Sequence, residues 1–406
     1  MTLLKKVTLI VIFTFLLHYS FSVISSYLLP SLIWDPSTGP TSNFNNSELL
    51  DGKEVTFSAY KLLYDWDSTF YMDIVQNGYE KLDAETGGFH NWAFYPLYPI
   101  TIKIIVVLFD VVDSQSAVFY IGILLSNIFF GVGLYYLYCM FRKLGEHDSD
   151  IDSMVLLLIA FPSAYFFNIF YTESLFFMIS VLFFYFLFQK KYIYVCIILS
   201  LSLITRINAL SLFIPFAIAI IYENRKNYLG ILKSILLYPL IIFTPLVIFY
   251  YHLNTLTGSF FASFKAQGQW GNKGSYFLSI FKSYLDIYGF SFRAEHILTL
   301  VLLILIGFIL VFALVKVFKK NFGAFKIEYI IMLSYAISYY VILSSVNSIA
   351  SIFRYVLPCF IYYWILTKFF KVTQGTTIFS ILLIILVLFH GLFFSLFLST
   401  IPAYGF

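Results

Sequence analysis

Charge is what this sequence has least of. Asp, Glu, Lys and Arg make up 11% of its 406 residues, and arginine occurs only five times. A soluble domain carries about a quarter charged residues. With 61% hydrophobic residues and a mean hydropathy of +0.88, the chain is expected to be an all-α polytopic membrane protein. Its three cysteines, Cys139, Cys196 and Cys359, all lie inside apolar runs. That placement suggests neither a disulfide framework nor a zinc site. No internal repeat or Gly-rich linker divides the chain, so one membrane domain over 1–406 is expected. Nucleic acid is not among the expected partners.

What is abundant is apolar sequence in runs of the length a bilayer needs, about 20 residues. The opening "MTLLKKVTLIVIFTFLLHYSFSVISSYLL" reads as a retained signal anchor with Lys5 and Lys6 on the cytoplasmic side. Further spans are predicted near 117–141, 153–170, 173–189, 232–252, 297–316, 327–346, 353–370 and 376–398. The stretch 192–222 is too long for one span and carries Arg206 in its middle, which predicts two short helices meeting near Arg206–Asn208.

The basic residues orient these spans. Arg142/Lys143, Lys190/Lys191, Arg225/Lys226/Lys233, Lys316/Lys319/Lys320/Lys326 and Lys368/Lys371 join Lys5/Lys6 to hold 15 of the 25 Lys and Arg. All can face the cytoplasm only if "PLYPITIKIIVVLFDVV" (96–112) is not a span but a helix in the outer interface. The prolines Pro96 and Pro99 would fix its entry. The result is eleven crossings, with two external loops at 30–116 and 253–296. The first loop holds 12 of the 21 acidic residues against four lysines. It also contains Asn45, a formal glycosylation acceptor in "NNS".

This topology collects the unusual charges on one side. Asp65, Asp67 and Asp73 follow the first span; Glu173 lies at a turn; Arg206 and Arg354 fall at outer helix ends. Charges at membrane depth are costly and face a cavity or a partner. Carboxylates beside arginines suit a transfer in which an acceptor hydroxyl needs a base and a phosphate leaving group needs positive charge. Aromatic rings around them suit a sugar.

The motifs run in the order "WDSTFYMDIVQNGY" (66–79), "FYPLYP" (94–99), "FPSAYFFNIFYTESLF" (161–176), "TRINAL" (205–210), "FKAQGQWG" (264–271) and "FRYVLP" (353–358). Together they resemble the PIG-V type of GPI mannosyltransferases and their prokaryotic relatives in the GT-C superfamily. Val75, Tyr95 and Ala209 depart from the family pattern, and none of these departures removes a charged position. The resemblance implies a GT-C fold with an external first loop carrying two juxtamembrane helices. It also implies inverting transfer from a polyprenyl-phosphate sugar, typically dolichyl-phosphate mannose, as co-substrate without a cofactor.

On this basis Asp67, beside Trp66, is the candidate general base; capping a helix at "DSTFYMDI" is the alternative role, and both can hold. Asp73, six residues on, is on a different helical face and fits structural support, although it stays with Tyr79 in the substrate-binding set. Glu173 orients a sugar hydroxyl, pairs with an arginine, or simply caps a hairpin. Arg206 and Arg354, with Tyr355 beside the latter, are candidates for the donor phosphate; snorkelling to headgroups is the plainer role. Lys265 is a further phosphate candidate, Gln267 and Trp270 are sugar candidates, and Trp270 fits an interfacial belt as well. His90 is a candidate acceptor or phosphate contact. No metal site is expected.

The function expected is therefore an integral-membrane mannosyltransferase acting on a glycan or lipid-linked acceptor, in the cell membrane or the endoplasmic reticulum. Two alternatives remain open: a GT-C enzyme with another sugar or a protein acceptor, and a lipid-linked sugar flippase. A flippase predicts ionisable residues at the bilayer midplane and helices broken in matching halves.

Overall fold

The computed structural model describes residues 2–28, 67–269, 277–281, 294–318, 326–345, 351–372 and 376–398. Asn45, Asp65, Trp66 and Trp270 lie outside the described residues. All regular elements among those described are helical. In chain order they are α1 (Leu3–Leu28), α2 (Asp67–Gln76), α3 (Leu97–Leu108), α4 (Gln115–Lys143), α5 (Asp148–Ala160), α6 (Glu173–Leu187), α7 (Tyr192–Leu203), α8 (Phe213–Glu223), α9 (Tyr228–Thr257), α10 (Ala262–Gln269), α11 (Ala294–Phe318), α12 (Ile327–Ser344), α13 (Ile352–Val356), α14 (Phe360–Val372) and α15 (Thr376–Leu398). Short 3-10 turns lie at Asn91–Ala93, Ala164–Phe167 and Ile207–Leu212.

Five helices, α1, α4, α9, α11 and α12, are long and apolar enough to cross a membrane, and several shorter apolar helices accompany them. This is a polytopic membrane protein. Helix α3 is not one of the five. Its 12 residues extend roughly 18 Å, well short of a bilayer core of about 30 Å. Tyr98, Ile102 and Val106 are buried on one side, while Ile100, Ile104 and Leu108 form an exposed apolar stripe on the other. Proline is tolerated in the first turn because no N–H is needed there, and Pro96 and Pro99 sit at the start of α3.

Two predicted spans are corrected. The apolar run 153–170 is helical only as far as Ala160, because Phe161 precedes Pro162 and takes an extended conformation (φ −61°, ψ 140°). Residues 161–172 then continue as irregular, buried chain. Irregular backbone at this depth must find partners inside the protein, and it does. Ser174 Oγ donates to the Phe167 carbonyl at 2.5 Å, Asn127 to that of Asn168 at 3.3 Å, and Ser126 to that of Tyr171 at 3.3 Å. The run 353–370 is likewise divided into α13 and α14 at Pro358, which has no N–H to continue a helix.

Helix α4 seats the irregular segment by close approach. A Cβ on Gly122 would come within 2.1 Å of the Phe170 ring, and one on Gly133 within 2.7 Å of Phe177. Small residues at helix contacts let neighbours approach this way. Around them the core is aromatic: Phe130 stacks on Phe167 at 4.5 Å, and Phe167 meets Phe177 at 5.3 Å.

The helices sort charge to opposite ends. At the turn between α4 and α5, Lys6 pairs with Asp152, Arg142 with Asp148 at 2.7 Å, and Lys368 with Glu146. Lys326 Nζ donates to the Leu144 carbonyl at 2.7 Å. Four of the predicted basic clusters therefore meet at one end. Glu173 opens α6 at the other end, and the link between α7 and α8 is extended at Arg206 (φ −156°, ψ 149°), where two short helices were expected to meet.

Candidate active site

Four separate pieces of chain deliver the charges at this second end. Asp67 is the first residue of α2, where a carboxylate is favoured by the helix dipole. Glu173 is the first residue of α6 and follows the buried irregular segment. Arg206 and Arg354 lie at the α7–α8 link and on α13. Asp67 and Glu173 are 106 positions apart in sequence, yet one guanidinium serves both. Arg354 Nη1 is 2.6 Å from Asp67 Oδ2, and its Nε is 3.1 Å from Glu173 Oε1. Arg206 Nη1 pairs with the same Glu173 oxygen and donates to Thr172 Oγ1 at 3.2 Å.

The four charges balance, two against two, but their exposure does not. The Glu173 side chain is 0% exposed and that of Asp67 is 16% exposed. Glu173 is thus the buried hub, and Asp67 is the carboxylate that solvent or a ligand can reach. Among the described residues the Glu173 Oε2 atom is buried without a hydrogen-bond partner, and such an orphan is costly in a finished interior.

Aromatic rings wall the quartet. Tyr355 lies 5.0 Å from both the Arg206 and the Arg354 guanidinium, and Tyr171 and Phe166 lie 5.3 and 5.5 Å from Arg354. The Tyr339 hydroxyl donates to the Tyr355 carbonyl at 2.7 Å and accepts from Asn208 at 3.1 Å. Ser163 donates to the Phe353 carbonyl at 2.9 Å, tying α13 to the segment that carries Glu173. Tyr71 on α2 donates to Thr172 Oγ1 at 3.5 Å. Burial first, and the nearby Asp67 carboxylate second, hold its phenol well above the ordinary tyrosine range, so it remains a neutral donor.

The structure brings Asp67, Glu173, Arg206, Arg354 and Tyr355 together. The other candidates are engaged in building the 77–95 loop. Asp73 accepts from Asn77 at 2.9 Å and from Asn91 at 2.7 Å, in keeping with structural support. The Tyr79 hydroxyl donates to the Phe94 carbonyl at 2.8 Å. His90 stacks on Trp92 at 4.2 Å, with Nδ1 2.6 Å from Glu80 and Nε2 3.0 Å from the Thr86 carbonyl. Lys265 pairs with Glu85, and Gln267 donates to the Ala93 carbonyl at 2.6 Å. Thr172, Tyr71, Tyr171 and Asn208 are the partners that residue-by-residue reading passed over, although each lies inside a motif. Their neutral side chains gave no signal until the fold set them against the arginines or the arginines' neighbours.

Among the described residues no three His, Cys, Asp or Glu side chains converge as a metal site. The cation between the two carboxylates is Arg354 itself. Chemically, the arrangement offers an accessible carboxylate, two guanidiniums able to take anionic oxygen, and aromatic faces for a sugar ring.

No curated protein matches the sequence. The mannosyltransferase (PIG-V) family model matches residues 5–260, more than half of the 406. That region includes Asp67, Glu173 and Arg206, while Arg354 lies beyond it and reaches the site through the fold. A chain matched over that length, with those charges converging, belongs to the PIG-V mannosyltransferase family and is a membrane glycosyltransferase.

Proposed function

We propose that the protein transfers mannose from a polyprenyl-phosphate donor to a hydroxyl of a glycan or glycolipid on the extracytoplasmic side of its membrane, with inversion at the anomeric carbon. The single observation that carries this reading is the accessible Asp67 carboxylate held 2.6 Å from Arg354, itself anchored on buried Glu173. One GT-C-like membrane domain of eleven crossings accommodates it, with α2 and α3 as the juxtamembrane helices of the first loop. One feature supports the sidedness: four basic clusters gather at the far end from the quartet.

In the reaction Asp67 takes the proton of the acceptor hydroxyl. The acceptor oxygen bonds to the anomeric carbon from the face opposite the phosphate, and the carbon–phosphate-oxygen bond breaks with its electron pair left on the phosphate. Arg354 and Arg206 meet the charge that develops there. Tyr355 and Tyr171 cover apolar sugar faces, with Trp66 and Trp270 next to the motif charges in sequence. Glu173 holds both guanidiniums in place. Asp73, Tyr79, His90, Lys265 and Gln267 contribute through the loop they hold.

Purified protein supplied with polyprenyl-phosphate mannose and a panel of lipid-linked glycan acceptors tests this. Release of polyprenyl phosphate coupled to a mannosylated acceptor is the expected result. Turnover with another polyprenyl-phosphate sugar but not with mannose would overturn the donor assignment.

A further inference from the structure

In this structure the Asp67 carboxylate faces the Arg354 guanidinium rather than an acceptor hydroxyl. Arg354, in turn, cannot give its Nη1 edge to a phosphate while Asp67 occupies it at 2.6 Å. The two roles assigned above are therefore mutually exclusive while Asp67 and Arg354 stay paired, and something must resolve the conflict.

The geometry indicates what gives way. Glu173 is fully buried, receives Arg206 and Arg354 on one oxygen, and begins a long packed helix. Moving it would strand two buried guanidiniums. Asp67 shares only Arg354 among the described charges, keeps 16% of its side chain exposed, and sits at the very start of α2. It is the exchangeable partner. Charge counting points the same way. The quartet is neutral, so a phosphodiester anion entering beside it adds an uncompensated buried negative charge. Exchanging one carboxylate for the phosphate on Arg354 leaves the guanidinium paired throughout.

We infer that the donor phosphate and Asp67 compete for the Arg354 guanidinium, so that binding of the lipid-phosphate donor displaces Asp67 and thereby frees it as the base. Glu173 is the positioning residue that holds Arg354 in place during the exchange. The consequence is an order of events: an acceptor hydroxyl meets an active base only when a donor is already in place. Transfer closes the cycle. The proton ends on Asp67, the phosphate leaves with one more negative charge, and loss of the lipid phosphate returns Arg354 to an Asp67 that has released its proton to solvent.

This rests on the donor class proposed above, and it makes a prediction opposite in sign to a loss-of-function variant. Asp67→Asn keeps the shape of the side chain and removes the competitor. It is expected to bind a short-chain polyprenyl phosphodiester, titrated into purified protein in detergent, at least about tenfold more tightly than the wild type, the low end for a close charge pair. Asp67→Ser, a second neutral side chain at the start of α2, guards against a folding defect and is expected to do the same. Adding Arg354→Lys to Asp67→Asn should abolish most of the gain, since a point charge does not reproduce the guanidinium fork. Equal or weaker binding in both Asp67 variants would overturn the competition. Lost transfer with unchanged binding would leave Asp67 as base and remove the exchange. Tighter binding with transfer intact would keep the exchange and remove the base.

Discussion

The two ends of this molecule use the same residue types to different effect. At the α4–α5 turn, Arg142 and Asp148 form a pair with side chains 41% and 52% exposed. At the other end, Glu173 is shared by two arginines and sealed from solvent. Exposed pairs are screened by water and salt and contribute little. A buried network has no such relief, and removing one member leaves its partners charged and unpaired. The Arg142–Asp148 pair can lose a charge at little cost; the quartet is where a charge change is felt.

Predictions that sharpen the contrast run from large to small. Asp67→Asn should lower transfer by about 10²–10⁴-fold, the range of a lost general base, with a smaller drop in unfolding temperature than Glu173→Gln on the same detergent-purified sample, because Asp67 is partly exposed and Arg354 keeps Glu173. Glu173→Gln should act on stability as well as on transfer. It leaves two buried guanidiniums facing one carboxylate, at a cost of about 3–5 kcal/mol, read as a marked drop in unfolding temperature. If Glu173→Gln unfolds like the wild type, the quartet is not a buried network and the contrast fails. Gly122→Ala drives a methyl into the Phe170 ring and should cost about 1–3 kcal/mol, with partial recovery in a Gly122→Ala/Phe170→Leu double variant. Asp148→Asn should change neither transfer nor unfolding temperature measurably. Hydrogen bonding to Arg142 lowers the Asp148 pKa. The small stability it adds is therefore present above the ordinary carboxylate range and fades as pH falls through the lower, folded value.

Much of this was legible in the sequence because few charges are available. With five arginines in the chain, an arginine within an apolar run is conspicuous, and Arg206 and Arg354 both meet in the quartet. Orientation from Lys and Arg also identified 96–112 as too poor a span, and α3 is short, half buried and apolar on both sides. Hydropathy misled where proline intervened. Phe161–Thr172 is as apolar as a helix, and only Pro162 signals that it leaves helical geometry. The sharing of Glu173 was not legible at all. Pairing of Arg354 with both Asp67 and Glu173 depends on how α2, α6 and α13 pack. Neutral partners such as Thr172 and Tyr71 acquire their role only from that packing. Asp73 and His90 show the converse: polar residues near a motif are as readily absorbed by the loop that supports it.

The most direct test is a single-turnover assay in which purified protein, preloaded with polyprenyl-phosphate mannose, is mixed with an acceptor glycolipid, comparing wild type with Asp67→Asn. Mannose passed on by the wild type but retained on the donor in the Asp67→Asn complex is the predicted result. Transfer at the wild-type rate by Asp67→Asn would contradict the account.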